Sequence, residues 1–103
     1  MARMEKMARA LVLHEEDNVA VLLDPAVDGE SVTLLDSADG ALGNIQAGAD
    51  IESFHKIGTR EIAQGEPIVK FGEAIGRASH LIRAGEHVHV HNVVSARLSG
   101  GGV

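Results

Sequence analysis

Three histidines alternate with valines near the end of the chain, in the run His87-Val88-His89-Val90-His91-Asn92. Successive side chains of a β-strand point to opposite faces, so a strand here would place the three imidazoles on one face and the valines in the core. Two imidazoles at this spacing stand roughly 7 Å apart at Cα. They can bind one divalent ion with a third ligand from elsewhere. Imidazoles can equally act as general acids or bases near neutral pH.

Further polar residues could contribute to such a site. His55 and Lys56 stand side by side after Phe54, and together they could bind a carboxylate. Lys70 alternates with apolar neighbours, so its ammonium points away from their face, although a solvated lysine has the same pattern. The simple alternative for residues 87–91 is a histidine-rich, solvated edge strand. Because cysteine is absent, the donors are nitrogen and oxygen, which fit Fe(II), Mn or Zn alike.

Composition limits the classes of protein to consider. The chain has 103 residues, of which 45% are hydrophobic, enough for one small domain. Its net charge is −6 and it has no run of basic residues, which argues against a nucleic-acid surface. The absence of cysteine excludes a disulfide scaffold. Apolar runs are too short for a membrane span, and no signal peptide is visible. We therefore expect a cytoplasmic domain.

The spacing of apolar residues predicts a mainly β fold with short helical turns. Strands are expected at residues 10–14, 19–23, 31–35, 68–71 and 87–94, with a loop-rich segment around residues 39–44. Short helices are expected at residues 59–63 and 73–82. The resulting boundaries are an N-terminal extension at 1–9, one domain at 10–94 and a flexible glycine-rich tail at 95–103.

A short repeat is visible in the sequence. Its form is an isoleucine, a glycine three residues later and an isoleucine or valine three residues after that. The pattern predicts a turn with positive φ at the glycine, followed by a strand. Ordinary turn preferences could produce any one copy by chance. The expected copies span residues 45–51, 62–68 and 82–88.

A series of motifs resembles a known family. Asp17-Asn18-Val19, His55-Lys56-Ile57, the segment 62–72 and the run Gly85-Glu86-His87-Val88-His89-Val90-His91-Asn92 follow one another in this order. Together they resemble the SAF domain of altronate and galactarate dehydratases over roughly residues 14–92. The same domain resembles the small subunit of two-chain relatives such as sulfolactate sulfo-lyase. The family usually has Gly before His-Lys and Tyr after the later Lys, where this chain has Phe54 and Phe71.

The resemblance implies a β-clip fold and activity on sugar acids or related hydroxy acids. It also implies a divalent metal, usually iron, with Mn or Zn as alternatives. A larger dehydratase subunit or domain should complete the site, because 103 residues enclose too little space for a sugar acid. The glycine-ended tail favours a separate small subunit over an excised domain. A homo-oligomer is left open.

The expected reaction eliminates water from a 2,3-dihydroxy acid and gives a 2-keto-3-deoxy acid. On this hypothesis His87 and His89 are metal or substrate ligands, and His91 or His55 carries the proton. The remaining candidate residues for substrate binding are Lys56, Lys70 and Asn92.

Three alternatives stay open at this stage. The chain could be a non-catalytic substrate-binding module, or a self-contained His-x-His metalloprotein. It could also be the small subunit of a sulfolactate sulfo-lyase, with sulfite as the leaving group in place of water. The sequence does not decide which hydroxy acid is used.

Overall fold

Nine β-strands make up the described part of the protein. The computed structural model describes residues 7–95, and within them it contains no helix. The mainly β prediction is therefore confirmed, as expected of a β-clip. The strands are β1 (Ala8–Leu11), β2 (Val19–Leu22), β3 (Ser31–Leu35), β4 (Ala41–Gln46), β5 (Lys56–Gly58), β6 (Pro67–Lys70), β7 (Glu73–Ala78), β8 (His87–Val88) and β9 (Val93–Ser95).

The strands form two sheets. The larger sheet has the order β4-β3-β1-β2-β5-β8, and the smaller has the order β6-β7-β9. All neighbours are antiparallel except β1 and β3, which are parallel. β5 thus lies between β2 and β8, so the segment after residue 55 is next to the one after residue 86. No helix in the described residues is long and apolar enough to cross a membrane.

Most predicted strands are confirmed with small shifts in their ends. The expectations at 19–23, 31–35 and 68–71 correspond to β2, β3 and β6. The first strand begins earlier than expected, so Ala8 and Arg9 belong to β1 and not to an extension. Residues 1–6 and 96–103, which make up most of the predicted extension and tail, lie outside the described residues.

The predictions of a loop-rich middle segment and of two short helices are wrong. Residues 41–46 form β4, an edge strand with mostly exposed side chains, which leaves no alternating pattern to read. Residues 59–63 are not helical, and most of 73–82 is β7. Gly76 in β7 lies so close to the Val94 carbonyl that a Cβ would stand 2.6 Å from its oxygen. Pairing of β7 with β9 overrides the helical spacing of its apolar residues.

One turn recurs four times along the chain. Each copy begins at a buried apolar residue, turns at a fourth residue with positive φ and enters a strand at the sixth. The copies expected at 62–68 and 82–88 are confirmed. The copy expected at 45–51 is wrong, because it starts within β4 and Gly48 does not have positive φ. The four observed copies span residues 26–32, 51–57, 62–68 and 82–88.

The four copies make equivalent contacts. In each, the N–H of the fourth residue donates to a carbonyl at a strand end, at 2.6–2.8 Å. Two short bridges join the copies in pairs, Ala26 with Ile51 and Ile62 with Ile82. The donors are Gly29, Phe54, Gly65 and Gly85, and their acceptors are Ala47, Leu22, Ala78 and Gly58 in the same order.

Two apolar clusters stabilise the fold. The first lies under the large sheet, and its buried members include Leu22, Val32 and Ile57. The second is built largely on the paired turns and includes Ile62, Ile82 and Val88. Because Ile57 and Val88 are both 0% exposed, β5 and β8 are anchored on the core side. Their other faces are left for polar groups.

Candidate imidazole site

Antiparallel pairing of β5 and β8 brings the histidines together. Ile57 pairs with His87 and Lys56 with Val88. His55 directly precedes β5, so its ring reaches the start of β8 although 32 residues separate the two. His55 and His87 were both predicted as site residues, and the structure shows that they are neighbours.

The predicted extended strand at 87–94 is wrong. β8 ends at Val88, and residues 89–92 form a turn closed by a hydrogen bond from the Asn92 N–H to the His89 carbonyl, at 3.0 Å. Val88 is buried as expected, but Val90 is 80% exposed and does not enter the core. The rings therefore do not share a flat strand face. The rings of His87 and His89 nevertheless lie side by side, with centroids 5.2 Å apart.

Asn92 explains this turn. Its Oδ1 accepts the His89 N–H at 2.9 Å, and its Nδ2 donates to the His87 carbonyl at 2.8 Å. The residue is 4% exposed. Its amide is therefore committed to holding the backbone of two histidines. These contacts do not favour the predicted role of Asn92 in binding substrate, and they give it a positioning role.

Three imidazoles form one cluster. The ring centroids of His55, His87 and His89 lie 4.9–5.2 Å apart, and the rings of His87 and His89 are stacked at 11°. His55 Nδ1 and His87 Nε2 share a hydrogen bond of 2.9 Å. One nitrogen of each ring lies within 4.8 Å of the others. These three residues could hold a metal ion, a set that adds His55 to the predicted pair.

The fourth candidate, His91, lies at the margin of the cluster. Its ring is 5.4 Å from that of His87 and tilted by 45°, and the residue is exposed. It does not belong to the group of close nitrogens. The remaining histidines lie in other parts of the chain: His14 accepts from the Glu16 N–H, and His80 contacts Ser79.

Positive charges border the imidazoles. Burial lowers the pKa of His87, and protonation of His55, His89 and His91 would lower it further. Burial and the nearby charge of Lys70 lower the pKa of Lys56. The two lysines predicted to bind substrate therefore lie near each other. A neutral His87 can accept a proton or bind a metal through a lone pair.

An open depression adjoins the cluster. Its volume is about 280 Å³, and it is partly open to solvent. Its polar groups come from Lys56 and His89, and apolar side chains supply the rest of the wall. Such a surface can hold part of a small acid but does not enclose one. The lining residues are Lys56, Ile75, His89, Val90 and Val93.

The turn that carries His55 differs from the other three. In those copies a glutamate follows the glycine, and its carboxylate accepts the N–H three residues earlier, at 2.7–2.9 Å. In the copy at 51–57, Phe54 and His55 occupy the glycine and glutamate positions. Phe54 keeps the positive φ of 69°. In this copy, His55 thus stands where the other three copies have a capping glutamate.

Asp17 and Asn18 position the backbone around Lys70, a role that the sequence analysis did not predict. Asp17 is 9% exposed, and its two oxygens accept the N–H groups of Phe71 and Gly72 at 2.9 and 2.8 Å. Asn18 is buried, and its side-chain amide bonds one edge of β6 by donating to the Pro67 carbonyl and accepting from the Val69 N–H. Lys70 is thereby fixed beside a two-residue hairpin turn. The sequence feature that could have indicated this role is the Asp17-Asn18 motif.

Comparisons with known proteins identify the family of this domain. Residues 8–96 match the sequence profile described as the altronate/galactarate dehydratase SAF domain. The chain is 38% identical over 86 residues to an altronate dehydratase of Bacillus subtilis, covering 84% of this chain and 16% of that protein. It is 49% identical over 43 residues to the (2R)-sulfolactate sulfo-lyase subunit alpha of Chromohalobacter salexigens, covering 42% of this chain and 46% of that protein.

Coverage differs between these relatives. The chain spans about one sixth of the Bacillus altronate dehydratase and about half of the Chromohalobacter subunit. A sulfo-lyase subunit alpha of Paracoccus pantotrophus is 31% identical over 61 residues, which cover 59% of this chain and 91% of that subunit. The resemblance read from the motifs is confirmed. Since the profile matches nearly all of the described residues, the chain belongs to the altronate/galactarate dehydratase SAF domain family.

Proposed function

We propose that this chain is the SAF component of a lyase that eliminates water from a 2,3-dihydroxy acid, with a larger polypeptide completing the active site. The observation that carries the proposal is the convergence of His55, His87 and His89 beside Lys56. The family to which the chain belongs and the names of its relatives support a dehydratase or another lyase.

The chemistry of the elimination needs a base and a cation. The base removes the proton on the carbon next to the carboxylate, and the 3-hydroxyl leaves as water after taking up a proton. The resulting enol becomes the 2-keto-3-deoxy acid. Negative charge grows on the carboxylate side as the proton leaves, and Lys56 is the cation nearest the depression. A neutral imidazole of the cluster suits the base.

The donor set also fits a divalent metal. His55, His87 and His89 offer three nitrogens within 4.8 Å of one another, without sulfur. Fe(II), Mn and Zn accept such ligands. When bound, the metal would polarise a carboxylate or hydroxyl oxygen of the substrate. In this arrangement His91, at the exposed margin, is the group left to exchange a proton with solvent.

A second polypeptide is part of the proposal because the depression is open. A lyase site must exclude water from the developing enolate, and an open surface cannot do so alone. The names of the two sulfo-lyase relatives call each of them subunit alpha, which describes enzymes with more than one subunit. The altronate dehydratase relatives are about five times as long as this chain.

The test is co-expression of this chain with the large dehydratase polypeptide of the same organism. The purified complex is assayed for 2-keto acid on a panel of hydroxy acids, and its metal content is measured. We expect turnover by the complex and its loss in His89→Ala. The His80→Ala variant, which changes an exposed histidine away from the cluster, is the matched control. A complex with equal turnover in His89→Ala and wild type would contradict the proposal.

Kinetics separate catalysis from substrate binding alone. Loss of kcat with KM kept in His89→Ala supports a catalytic role. A raised KM with kcat kept supports the alternative of a non-catalytic binding module.

A sulfo-lyase is the second candidate function. It is favoured by the 49% identity with the Chromohalobacter subunit over 43 residues. The same proton removal would then expel sulfite from the next carbon and leave a 2-keto acid. Release of sulfite by the complex from a sulfonated hydroxy acid, without activity on dihydroxy acids, would select this function.

A further inference from the structure

Three exposed apolar side chains stand next to candidate site residues in the chain. Val90, Phe54 and Phe71 are 80%, 74% and 69% exposed, the highest values among large apolar side chains in residues 7–95. Each adjoins a site residue in the chain: Phe54 precedes His55, Phe71 follows Lys70, and Val90 stands between two histidines. We call these three residues the apolar rim. Exposure of such groups at one site marks an interaction surface.

Two rim residues adopt a backbone conformation that disfavours them. Phe54 and Phe71 have φ values of 69° and 60°, in the left-handed region. A residue with a Cβ is disfavoured there, and glycine adopts it freely. They are also the only aromatic residues of the chain. The presence of phenylalanine at these two positions is not explained by folding, since neither residue is buried.

The internal repeat supplies a control for this argument. The residue equivalent to Phe54 is glycine in each of the other three turns, with φ between 86° and 90°. All four make the same hydrogen bond from this N–H to a strand end. The turn therefore forms fully without a side chain at the fourth position. The exposed ring of Phe54 is therefore not needed for the turn, and we attribute its role to contacts outside the described domain.

Charge indicates what covers the rim. The chain has a net charge of −6, yet Lys56 lines the depression beside His89, and the charge of Lys70 is close enough to act on Lys56. Within residues 7–95, neither lysine forms an ion pair. At the cluster, His55 Nε2 lies 3.7 Å from the carboxylate of Glu52, which is 87% exposed. A positive centre inside an apolar border fits a partner with apolar pockets and carboxylates.

We infer that Phe54, Phe71 and Val90 are the anchors by which this domain docks over its imidazole site onto the larger lyase polypeptide. The inference rests on the proposed function for the identity of that partner. A second copy of this chain is a poorer occupant, because it would bring two positive centres into contact. Exposed aromatic side chains seated in pockets are the usual energetic centres of interfaces.

The experiment measures the dissociation constant of the complex with the co-expressed large dehydratase polypeptide of the same organism. We compare wild type with Phe54→Gly, Phe71→Gly and Val90→Ser. Matched controls are Val27→Ser and Leu42→Ser, which change side chains 58% and 54% exposed that do not line the site depression. Each rim variant should raise Kd at least tenfold and each control less than twofold. Thermal unfolding should show an equal or higher Tm for the two glycine variants.

Several results would overturn the inference. These are a Kd within twofold of wild type for both glycine variants, no complex with wild type, or a wild-type dimer in sedimentation that Phe54→Gly dissociates. Assay of the same complexes keeps the two proposals apart. A rim-dependent complex that forms neither 2-keto acid nor sulfite supports docking and contradicts the proposed function. An active complex whose Kd is unchanged by the rim variants supports the proposed function and contradicts the docking inference.

Discussion

Asn92 is an uncharged residue on which the imidazole cluster depends. Its side-chain amide bonds the backbone of His87 and His89, and its own N–H closes the same turn. These bonds fix the backbone of two of the three clustered histidines, so the geometry of the site depends on a residue that does no chemistry itself.

Asn92→Ala should therefore weaken both the fold and the site. It removes two hydrogen bonds, to the part-buried His87 carbonyl and His89 N–H, at a cost of about 0.5–1.5 kcal/mol each in the free energy of unfolding. Urea unfolding measures this cost, and titration with Zn²⁺ measures the loss of metal affinity. Asn44→Ala is the matched control, since Asn44 bonds only the exposed Ser31 and Thr33 side chains. Equal metal affinity in Asn92→Ala and wild type would contradict the positioning role.

His87 gives the metal-free protein a dependence of stability on pH. Burial and the neighbouring imidazoles lower its pKa below the ordinary value of 6.5. Below that value the unfolded chain binds a proton that the folded chain does not, so stability falls as the pH falls. Stability is restored above pH 6.5, where both states are neutral at this residue.

Urea midpoints between about pH 5 and 7.5, measured with a chelator, test this dependence. We expect His87→Gln to flatten the slope in this range, while His80→Gln leaves it as in wild type. An unchanged slope in His87→Gln would show that other groups are responsible.

At the scale of elements, one turn used four times organises the domain. Each copy places a residue with positive φ over a strand end, and the copies pair through short bridges. Repetition leaves three copies to maintain the fold, with a glutamate cap in each. The fourth copy can carry Phe54 and His55 for the site. This division explains why the histidine at position 55 lies in a turn and not in a strand.

The same turn should tolerate alanine very differently in two copies. Gly65 and Gly85 have φ values of 86° and 90°, so alanine is strained at both, by about 1–2 kcal/mol. Nothing lies within 4 Å of a Cβ at residue 65, whereas at residue 85 the Cβ would overlap the Gln46 carbonyl. Gly85→Ala should thus lower the free energy of unfolding at least twice as much as Gly65→Ala. Equal urea midpoints for the two variants would refute this reading.

At the scale of the whole molecule, the domain presents a site without closing it. Two small apolar clusters stabilise the two sheets, and the depression beside the imidazoles is open. Val90 of the apolar rim lines this depression, and Phe54 and Phe71 adjoin His55 and Lys70 in the chain. Both features are those of a component that acts against another surface.

The isolated chain should accordingly be inactive. Purified alone and supplied with Fe(II), Mn²⁺ or Zn²⁺, it should produce no 2-keto acid above the rate of buffer, because water reaches the developing enolate. Circular dichroism checks that the chain is folded in the same samples. Turnover by the single chain would show that the depression is a complete site and would favour a self-contained metalloenzyme.

The amino-acid sequence by itself determined the mainly β class, most strand positions, two of the turn copies and the family. These depend on local preferences, such as alternating apolar residues and glycine at positive φ, which a short stretch of chain expresses. It also singled out the histidines, because imidazoles at regular spacing are rare by chance. The helices at 59–63 and 73–82 failed for the complementary reason, since pairing with a distant strand outweighs local spacing.

Only the tertiary structure decided that His55 joins His87 and His89. Strand register between β5 and β8 joins residues 32 apart, and no local pattern encodes that register. The turn at 89–92 was likewise hidden, because alternating histidine and valine fits an extended strand until the Asn92 amide bonds two backbone groups. The sequence therefore predicted the chemical types of the site residues. Their arrangement in space depended on long-range hydrogen bonds and burial.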